Sequence, residues 1–586
     1  MTKKLSKTQP RASMATKDTE ERHLWTPTLE TAVSLLLVPR VISSLLNPIA
    51  DCDETFNYWE PLHYLMYGFG FQTWEYSPLY ALRSYLYLLV HLVVVKLASW
   101  GFSFSLVGTT GVVSKVMLFY GLRGALALVC SYCEALFYRA CIPHFGRRTA
   151  RYLLWILLFN AGMFHASTAF LPSTFVMYLI MLFLTAWMER QHFLAIFWGV
   201  VAVLCGWPYV GVLFVPFMFD TLHARGVVLS LIAGASIGLV VLTAEIGVNF
   251  FYYRKIVLPA WNIVQYNVLS SETDSTLYGV EPWSFYALNL ALNFNIAAAM
   301  ALPSLLVVFL LPRSASAGAG RRLAFLSPLF IWLAIMFAQA HKEERFLFPV
   351  YPLLCLGAAI TLSSAVASVW GVFGPGSSFG NFTVTVLVYG SLGLYSLLSI
   401  SRVTSNVVNY SAPIRIYSHL HDHVLPSPTK NVFMASGSAT AVTTLCIGKE
   451  WYRFPSSFFV PTNATSVRFL KSSFSGQLPK PFEQHENGTS VIPTDMNNQN
   501  REEFTRYTPE DDCDYVVDLN LPGQQETKFW ESPGKWQLIH SEPFLNADAS
   551  RSPYRALYVP FLTTKHVQYV KYAVYKQKRD TTPHTP

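Results

Sequence analysis

Apolar runs of about 20 residues, each long enough to span a bilayer as a helix, recur between residues 30 and 400 of this chain. Only 13% of the residues are charged, about half the usual share in a soluble protein. Because backbone polar groups must be satisfied within lipid, such runs fold as helices. The pattern predicts a polytopic α-helical membrane protein with about eleven transmembrane helices, at residues 30–49, 80–98, 112–140, 151–168, 172–188, 193–219, 227–249, 285–311, 323–338, 346–365 and 384–401.

Basic residues and glycosylation acceptors predict the orientation of these helices. Residues 1–29 are Lys-rich and are predicted to form a disordered cytosolic tail. Asn409, Asn463 and Asn487 each begin an Asn-x-Ser/Thr acceptor after the last span, which predicts a lumenal C-terminal region. The transmembrane domain is then residues 30–401, and its lumenal loops are residues 50–79, 250–284 and 339–345.

One cluster of cations contradicts this arrangement. With the eleven spans above, Arg147, Arg148 and Arg151 fall on the lumenal side, against the positive-inside rule. A break in span 112–140 would move them to the cytosol. A second break in span 193–219, at Gly206-Trp207-Pro208, would then keep the later loops lumenal.

The composition changes after residue 401, where Pro, Asn and Ser become frequent. We predict that residues 402–586 form one lumenal α/β domain. Alternating patterns predict strands at 430–435, 458–461 and 514–519, and an apolar run predicts a buried helix at 439–446. Cys446 and Cys513 can form a disulfide if this region is lumenal.

The most acidic part of the predicted lumenal loops is residues 51–61. It contains Asp51, Asp53, Glu54 and Glu60, interleaved with aromatic residues, directly after the first span. Carboxylates at the mouth of a span lose solvation, so such clusters usually serve chemistry or ion passage. The alternative is a solvated acidic loop.

A second cluster, residues 341–345, has five consecutive ionisable side chains at a membrane boundary. If this segment is helical, His341 and Arg345 share one face. Cations beside a membrane suit a phosphate, and Arg can bind it bidentately. The alternative is an interfacial cluster that fixes the depth of the helix.

The loop at 250–284 is rich in aromatic and amide side chains, which suit a sugar-binding surface and equally an interfacial aromatic belt. Together with two residues of the acidic loop, they form the candidate acceptor or sugar-binding set: Trp59, Glu60, Trp261, Asn262, Tyr266, Asn267 and Trp283.

Three motifs together, at residues 51–61, 206–208 and 341–346, resemble the lipid-linked mannosyltransferases of the GT-C superfamily, glycosyltransferase family 22. The segment 448–459 narrows the resemblance to members that form α-1,2 linkages in N-glycan precursor assembly. The resemblance covers residues 30 to about 560. The chain departs from the family pattern at Asn249-Phe250, where an Asp-Ser pair is expected, so no carboxylate role is assigned there.

The resemblance implies a GT-C fold and an inverting α-1,2-mannosyltransferase in the endoplasmic reticulum membrane. Its donor would be dolichyl phosphate β-mannose. Its acceptor would be a dolichyl-diphosphate-linked oligosaccharide, to which it would add the seventh and ninth mannoses. A phosphate leaving group is stable as an anion, so one base and cationic stabilisation suffice, whereas a glycosidase needs a second carboxyl group.

The implied roles are carried over residue by residue. Asp53 is the predicted base, followed by Glu54 and Asp51. Lys342 and Arg345 are predicted to bind the donor phosphate with help from His341, and Glu343 and Glu344 to orient these cations. No metal or other cofactor is expected, because a monophosphate donor has no diphosphate to chelate.

Two alternatives remain open from the sequence. One is another family member, either the α-1,6 enzyme of the same pathway or a glycolipid-anchor mannosyltransferase. The other is a lipid-linked sugar translocase. The expected partners are the two lipid-linked substrates and membrane lipids, with no nucleic acid, and the expected state is a monomer.

Overall fold

A computed structural model describes residues 24–105, 113–269, 276–311, 318–374, 376–425 and 442–579. Most of the predicted tail therefore lies outside the described residues. Among the residues described, seven helices are long and apolar enough to cross a membrane: Leu29–Leu46, Tyr85–Ser103, Lys115–Phe145, Val227–Tyr253, Ala319–Ala338, Glu344–Phe373 and Ser378–Tyr410. Two shorter apolar helices are Pro172–Met188 and His192–Gly206.

The remaining predicted spans are interrupted helices. Span 151–168 is replaced by Arg147–Phe159 and Ala161–Ala166, which separate at Asn160. Span 285–311 is divided at Asn295, which has a φ of 42°. Its pieces are Ser284–Asn293, Ile296–Ala301 and Ser304–Val307.

The predicted span 193–219 breaks at Trp207. This residue is extended, with φ −140° and ψ 110°, and the Pro208 that follows cannot donate a backbone hydrogen bond. A tight turn, Pro208–Phe214, leads into helix Val215–Arg225, which returns beside the preceding helix. The Nδ1 atom of His192, at the start of that preceding helix, lies 2.9 Å from Thr221 Oγ1, and its ring lies 6.0 Å from that of Phe217. Segment 193–219 is thus a hairpin of two helical arms.

The helical region has two ends, and the basic residues gather at one of them. Arg147 donates to the Leu24 carbonyl at 3.0 Å, and Arg322 donates to the His144 carbonyl at 2.8 Å. His144 in turn contacts the Met188 carbonyl at 2.9 Å. The eleven-span arrangement, which set Arg147, Arg148 and Arg151 on the side opposite to the N-terminal tail, does not match the structure, because this segment adjoins the N-terminal residues.

Helix Tyr85–Ser105 lies along the other end of the bundle. The backbone N–H of Tyr85 donates to Asn249 near the end of its helix. Ala98, about 20 Å further along, packs against Gly121, which is only about 9 Å from Lys115 at the start of its helix. Lys115 contacts Val460 of the C-terminal region. A helix perpendicular to the membrane would reach much deeper, so the geometry does not favour the predicted span at 80–98.

The C-terminal region contains a five-stranded mixed sheet. Its strands are β2 (Thr443–Ile447), β3 (Thr465–Phe469), β5 (Tyr515–Leu519), β6 (Trp536–Leu545) and β7 (Tyr569–Gln577), in the order β3-β2-β5-β7-β6. β2 pairs in parallel with β3 and β5, and β7 is antiparallel to β5 and β6. The predicted strand at 514–519 is confirmed by β5. Helix Ser378–Tyr410 continues beyond residue 401 before helix Ala412–His419 begins.

Two local predictions in this region were wrong. The described part of 439–446 enters β2 instead of a helix, because a run containing Thr443 and Thr444 packs well in a sheet. The predicted strand 458–461 overlaps a single helical turn, Ser457–Phe459, whose Phe458 N–H donates to Ser456. The predicted strand 430–435 lies outside the described residues.

The C-terminal region is also tied to the first loop. β1 (Phe71–Gln72) pairs antiparallel with β4 (Lys480–Pro481). The carboxylate of Glu60, fully buried, accepts from Ser457 N–H at 2.5 Å, Ser456 Oγ at 3.0 Å and Phe71 N–H at 3.0 Å. A buried carboxylate with this many donors is stable only while both segments stay in place.

The predicted modification residues differ in accessibility. Asn463 and Asn487 are exposed, and the structure joins Cys446 to Cys513 with a Cα–Cα distance of 5.8 Å. Asn409 is fully buried; it donates to Ser405 and accepts from Tyr569. The glycosylation predicted at Asn409 does not fit this structure, because a glycan needs an accessible amide.

Candidate active site

Asp51 and Asp53 lie on the first turn after helix Leu29–Leu46. The Asp51 carboxylate caps the short helix Cys52–Glu54 by accepting from the Asp53 N–H at 2.9 Å. This helix passes directly into the turn Thr55–Trp59 and helix Glu60–Tyr67. The segment is thus helical, and its capping turn holds the two aspartates together.

Arg345 joins these aspartates to the second motif. Its Nη2 lies 2.6 Å from Asp53 Oδ2, and its Nε lies 3.1 Å from Asp51 Oδ2. It also forms an ion pair with Glu343. The Arg345 side chain is only 13% exposed. One cation therefore balances three carboxylates from two loops that are far apart in the sequence.

The charges of this centre shift the pKa values of its members. Burial raises the pKa of Asp51 to about 7, with Asp53 and Glu343 adding to the effect and Arg345 opposing it. For Glu343, burial opposes ionisation, but Arg345 and His341 outweigh it and lower the pKa to about 2. The hydrogen bond to Glu343 raises the pKa of His341. The centre thus contains a carboxyl that titrates near neutral pH.

Glu54 points away from this centre. Its Oε1 accepts from the Trp59 indole and from the Phe170 N–H, both at 3.0 Å, and the residue is 5% exposed. Burial raises its pKa. The structure therefore does not bring Glu54 together with Asp51 and Asp53, and its contacts are those of a packing residue.

The motif at 341–345 divides between two faces. His341 contacts Glu343 at 2.9 Å and the Gly279 carbonyl at 3.0 Å. The Lys342 ammonium donates to the backbone carbonyls of Glu281, at 2.9 Å, and Gln339. Residues 341–343 are not helical, since the helical turn begins at Glu344. Lys342 was predicted to bind the donor phosphate. Its contacts with backbone carbonyls do not match that role and instead hold the adjoining loop in place.

Glu344 faces a different region from Glu343. It accepts from Asn293 at 2.8 Å, and Asn293 in turn accepts from Arg402 at 3.3 Å. The predicted orienting role thus fits Glu343, which contacts both His341 and Arg345, and does not fit Glu344.

Two members of the predicted acceptor set are buried. Trp59 is fully buried, and its ring lies 4.3 Å from that of Phe119 and 5.0 Å from that of Phe170. Glu60 is occupied by the serine contacts described above. Neither side chain is accessible to a sugar, because the aromatic packing of this segment encloses both.

The residues of the later loop remain accessible. Trp261 is 55% exposed and Trp283 is 67% exposed. Asn262 donates to the Tyr80 and Ala81 carbonyls, Tyr266 donates to the Asn498 carbonyl, and Asn267 donates within its own helix to Ile263. The tryptophans stay candidate sugar contacts, whereas the amides hold the loop.

Two functional candidates were missed from the sequence, Glu75 and Arg83. Arg83 binds Glu75 through Nε at 3.0 Å and Nη2 at 2.8 Å, and its Nη2 lies 3.8 Å from Asp53 Oδ2. Glu75 lies in the predicted lumenal loop 50–79, and Arg83 lies just after the end of that loop. This position was the signal in the sequence that could have identified them.

The centre also offers metal-type ligands. Ligand atoms of Asp51, Cys52 and Asp53 all lie within 4.8 Å of one another. Both carboxylates, however, are paired with the Arg345 guanidinium, which supplies the compensating positive charge. A divalent ion would have to displace that cation, so these residues fit the arginine better than a metal.

Comparison with known proteins identifies the family. The model of the Alg9-like mannosyltransferase family matches residues 31–461. The chain belongs to this family. The GT-C assignment drawn from the motifs is consistent with that match.

Individual relatives agree with the family match. The chain is 40% identical to the human protein named alpha-1,2-mannosyltransferase ALG9 over 566 residues, covering 95% of this chain and 90% of the relative. It is 31% identical to the Saccharomyces cerevisiae protein of that name, covering 94% of this chain and 98% of the relative. A solved structure of ArnT from Cupriavidus metallidurans aligns with 13% identity and a TM-score of 0.48, covering 75% of this chain and 85% of that one.

A relative named as a glycolipid-anchor enzyme matches a smaller share of this chain. The Candida albicans protein named GPI mannosyltransferase 3 is 25% identical over 318 residues, covering 53% of this chain and 59% of the relative. The human and Saccharomyces cerevisiae proteins named alpha-1,2-mannosyltransferase ALG9 instead cover 95% and 94% of this chain.

The three carboxylates around Arg345 predict a pH-dependent loss of stability when this cation is removed. In Arg345→Gln, Asp51 and Glu343 lose their neutralising partner, so the folded-state pKa of Asp51 rises further above its unfolded value of about 3.9, and that of Glu343 rises above its unfolded value of about 4.3. The resulting penalty is largest at pH 8 and declines as these groups take up protons towards pH 5. We expect a loss of about 3 kcal/mol at pH 8 and a smaller loss at pH 5.

Thermal unfolding of the detergent-purified variant and wild type at both pH values measures this difference. The exposed pair Arg415–Glu542 offers a control, since Arg415→Gln removes a surface cation. An equal decrease in Tm at pH 5 and pH 8 would show that the carboxylates do not depend on Arg345.

Proposed function

We propose that this chain transfers mannose from dolichyl phosphate β-mannose to a mannose 2-hydroxyl on a dolichyl-diphosphate-linked oligosaccharide, forming an α-1,2 linkage. The observation that carries the chemistry is the contact between Asp53 and Arg345, at 2.6 Å. It sets a proton acceptor beside a cation suited to phosphate. The similarity to proteins named alpha-1,2-mannosyltransferase ALG9 supports the linkage.

The proposed reaction is a single displacement with inversion at the anomeric carbon. The acceptor hydroxyl oxygen forms the new bond to that carbon while the bond from carbon to phosphate oxygen breaks. The electron pair of the broken bond stays on dolichyl phosphate, and the hydroxyl proton passes to Asp53. Since Oδ2 of Asp53 is engaged by Arg345, Oδ1 is the oxygen assigned to the proton.

Arg345 would stabilise the charge that builds on the departing phosphate. Such an interaction is stronger in the transition state than in the ground state, so it accelerates the chemical step. Asp51 would share the cation with Asp53, and its pKa near 7 lets its charge vary near neutral pH. We propose no metal role, because the two carboxylates are used by the arginine and the donor is a monophosphate.

The proposed location is the endoplasmic reticulum membrane, with the Asp51–Arg345 centre and the C-terminal sheet in the lumen. The basic contacts of Arg147 and Arg322 at the opposite end of the bundle support this orientation, since cytosolic loops carry the excess of basic residues.

Product analysis tests the function directly. Detergent-purified chain, supplied with dolichyl phosphate mannose and a defined lipid-linked oligosaccharide in EDTA, should form a product cleaved by an α-1,2-specific mannosidase. An α-1,6 product would assign the chain to another branch of the family. Absence of any new linkage in detergent, with transport in sealed vesicles, would favour a translocase.

The proposed base is tested by two isosteric substitutions. Asp53→Asn should lower turnover by about 10²–10⁴-fold, the usual contribution of a general base, with little change in folding. Glu54→Gln should lower Tm, because Glu54 accepts two buried hydrogen bonds. The turnover per folded molecule should change little. Near-normal turnover in Asp53→Asn together with an inactive but folded Glu54→Gln would reverse the assignment.

The orientation is tested by glycosylation. Asn463→Gln and Asn487→Gln should each remove one glycan, because these exposed residues lie in the proposed lumenal region. Asn381→Gln should remove none, since Asn381 lies in the first turn of helix Ser378–Tyr410, at the opposite end of the bundle. Mass shifts after endoglycosidase treatment give the answer, and a glycan on Asn381 would contradict the orientation.

A further inference from the structure

Arg83 is a second guanidinium at the candidate active site. Its Nη2 approaches the same oxygen of Asp53, Oδ2, that binds Arg345, at 3.8 Å and 2.6 Å respectively. The two guanidiniums therefore lie side by side, among the carboxylates of Asp51, Asp53, Glu75 and Glu343. An anion next to Asp53 is therefore within reach of both.

The orientation of Arg83 is fixed by its neighbours. The Glu75 carboxylate accepts from Arg83 Nε and Nη2, and the Tyr58 hydroxyl accepts from Arg83 Nη1 at 2.7 Å. The Tyr253 hydroxyl donates to the backbone carbonyl of Arg83 at 2.7 Å. Among the described residues, these side-chain bonds use three of the five guanidinium N–H groups. The others stay available to an incoming anion without loss of the Glu75 contact.

Arg83 also lines a cleft below the turn at Gly206-Trp207-Pro208. Its apolar and aromatic lining includes Tyr87, Leu204, Trp207, Pro208, Ala260 and Ile263. A cation at the edge of an apolar cleft suits a phosphate carried on a hydrocarbon chain. The enclosed part of the cleft is small, about 40 Å³, so the cation would pair with the phosphate at its mouth, where apolar side chains would contact the first part of the chain.

We propose that Arg83, rather than Lys342, is the second cation that binds the donor phosphate. The 3.8 Å between Arg83 Nη2 and Asp53 Oδ2 exceeds a hydrogen bond, so the N–H groups of Arg83 that its neighbours do not use can donate to a phosphate oxygen beside this pair, in charge-assisted bonds that break no existing contact. Lys342 is instead committed to the carbonyls of Glu281 and Gln339. This inference rests on the proposed function, because that function makes the donor a lipid phosphate.

A binding experiment tests the assignment without requiring transfer. Dolichyl phosphate is titrated into full-length wild type, Arg83→Gln, Arg83→Lys and the control Arg415→Gln in detergent, with intrinsic tryptophan fluorescence as the signal because Trp207 lines the cleft. We expect Arg83→Gln to weaken binding at least about tenfold and Arg83→Lys to weaken it less, since the charge remains. The control should bind as wild type does, because Arg415 lies in the C-terminal region on Glu542.

Inorganic phosphate forms a second arm of this experiment. If dolichyl phosphate is the ligand, inorganic phosphate should compete only at far higher concentration. Equal competition by both would identify a free-phosphate site and overturn the donor assignment. Binding of dolichyl phosphate to Arg83→Gln with wild-type affinity would also overturn it.

A second variant keeps the inference testable if Arg83→Gln does not fold. Ala260→Phe narrows the cleft without removing charge, and it should raise KM for dolichyl phosphate mannose while KM for the oligosaccharide acceptor stays unchanged. The opposite pattern would place the acceptor in the cleft and contradict the proposal. If wild type binds dolichyl phosphate through Arg83 yet forms no α-1,2 product, the proposed function fails while this site stands.

Discussion

The structure of the candidate active site depends on the contacts of one guanidinium. The Arg345 side chain is only 13% exposed, and the carboxylates of Asp51, Asp53 and Glu343 around it are partly buried. Buried charge is tolerated only when it is paired, so neither loop can hold its acidic residues in place without the other. The segments that follow helices Leu29–Leu46 and Ala319–Ala338 therefore meet at this point. The site thus depends on the arrangement of the helices.

A second set of contacts holds the acidic loop from its opposite side. Glu60 accepts from Ser456 and Ser457, and Thr55 donates to the Phe454 carbonyl at 3.0 Å. The C-terminal region thus grips the helical segment that carries Asp53. We infer that it works as part of the catalytic scaffold, since the position of Asp53 depends on contacts from both regions. The segment 448–459, which narrowed the family resemblance, contains the residues that make these contacts: Phe454, Ser456 and Ser457.

The sequence predicted the two motifs that meet, the membrane class and strand β5, because each rests on local composition or spacing. It did not separate Asp53 from Glu54, since that depends on a helical turn that sends Glu54 towards Trp59 and Phe170. It also gave Lys342 a phosphate role that its carbonyl contacts do not match. Which way a side chain points is decided by tertiary packing, which residue type and spacing do not encode.

The conflict over the basic residues shows the same limit for topology. Hydropathy measures which solvent a helix prefers, and helix Tyr85–Ser105 is apolar enough to span. Its direction is set by partners at its ends, Asn249 and Gly121, which place it along one end of the bundle. The break at Trp207-Pro208 adds one crossing of the bundle, which replaces the crossing lost when helix Tyr85–Ser105 does not span the membrane. The first departure moves Arg147 to the end of the bundle where the N-terminal residues lie, and the second compensates it for the loops that follow.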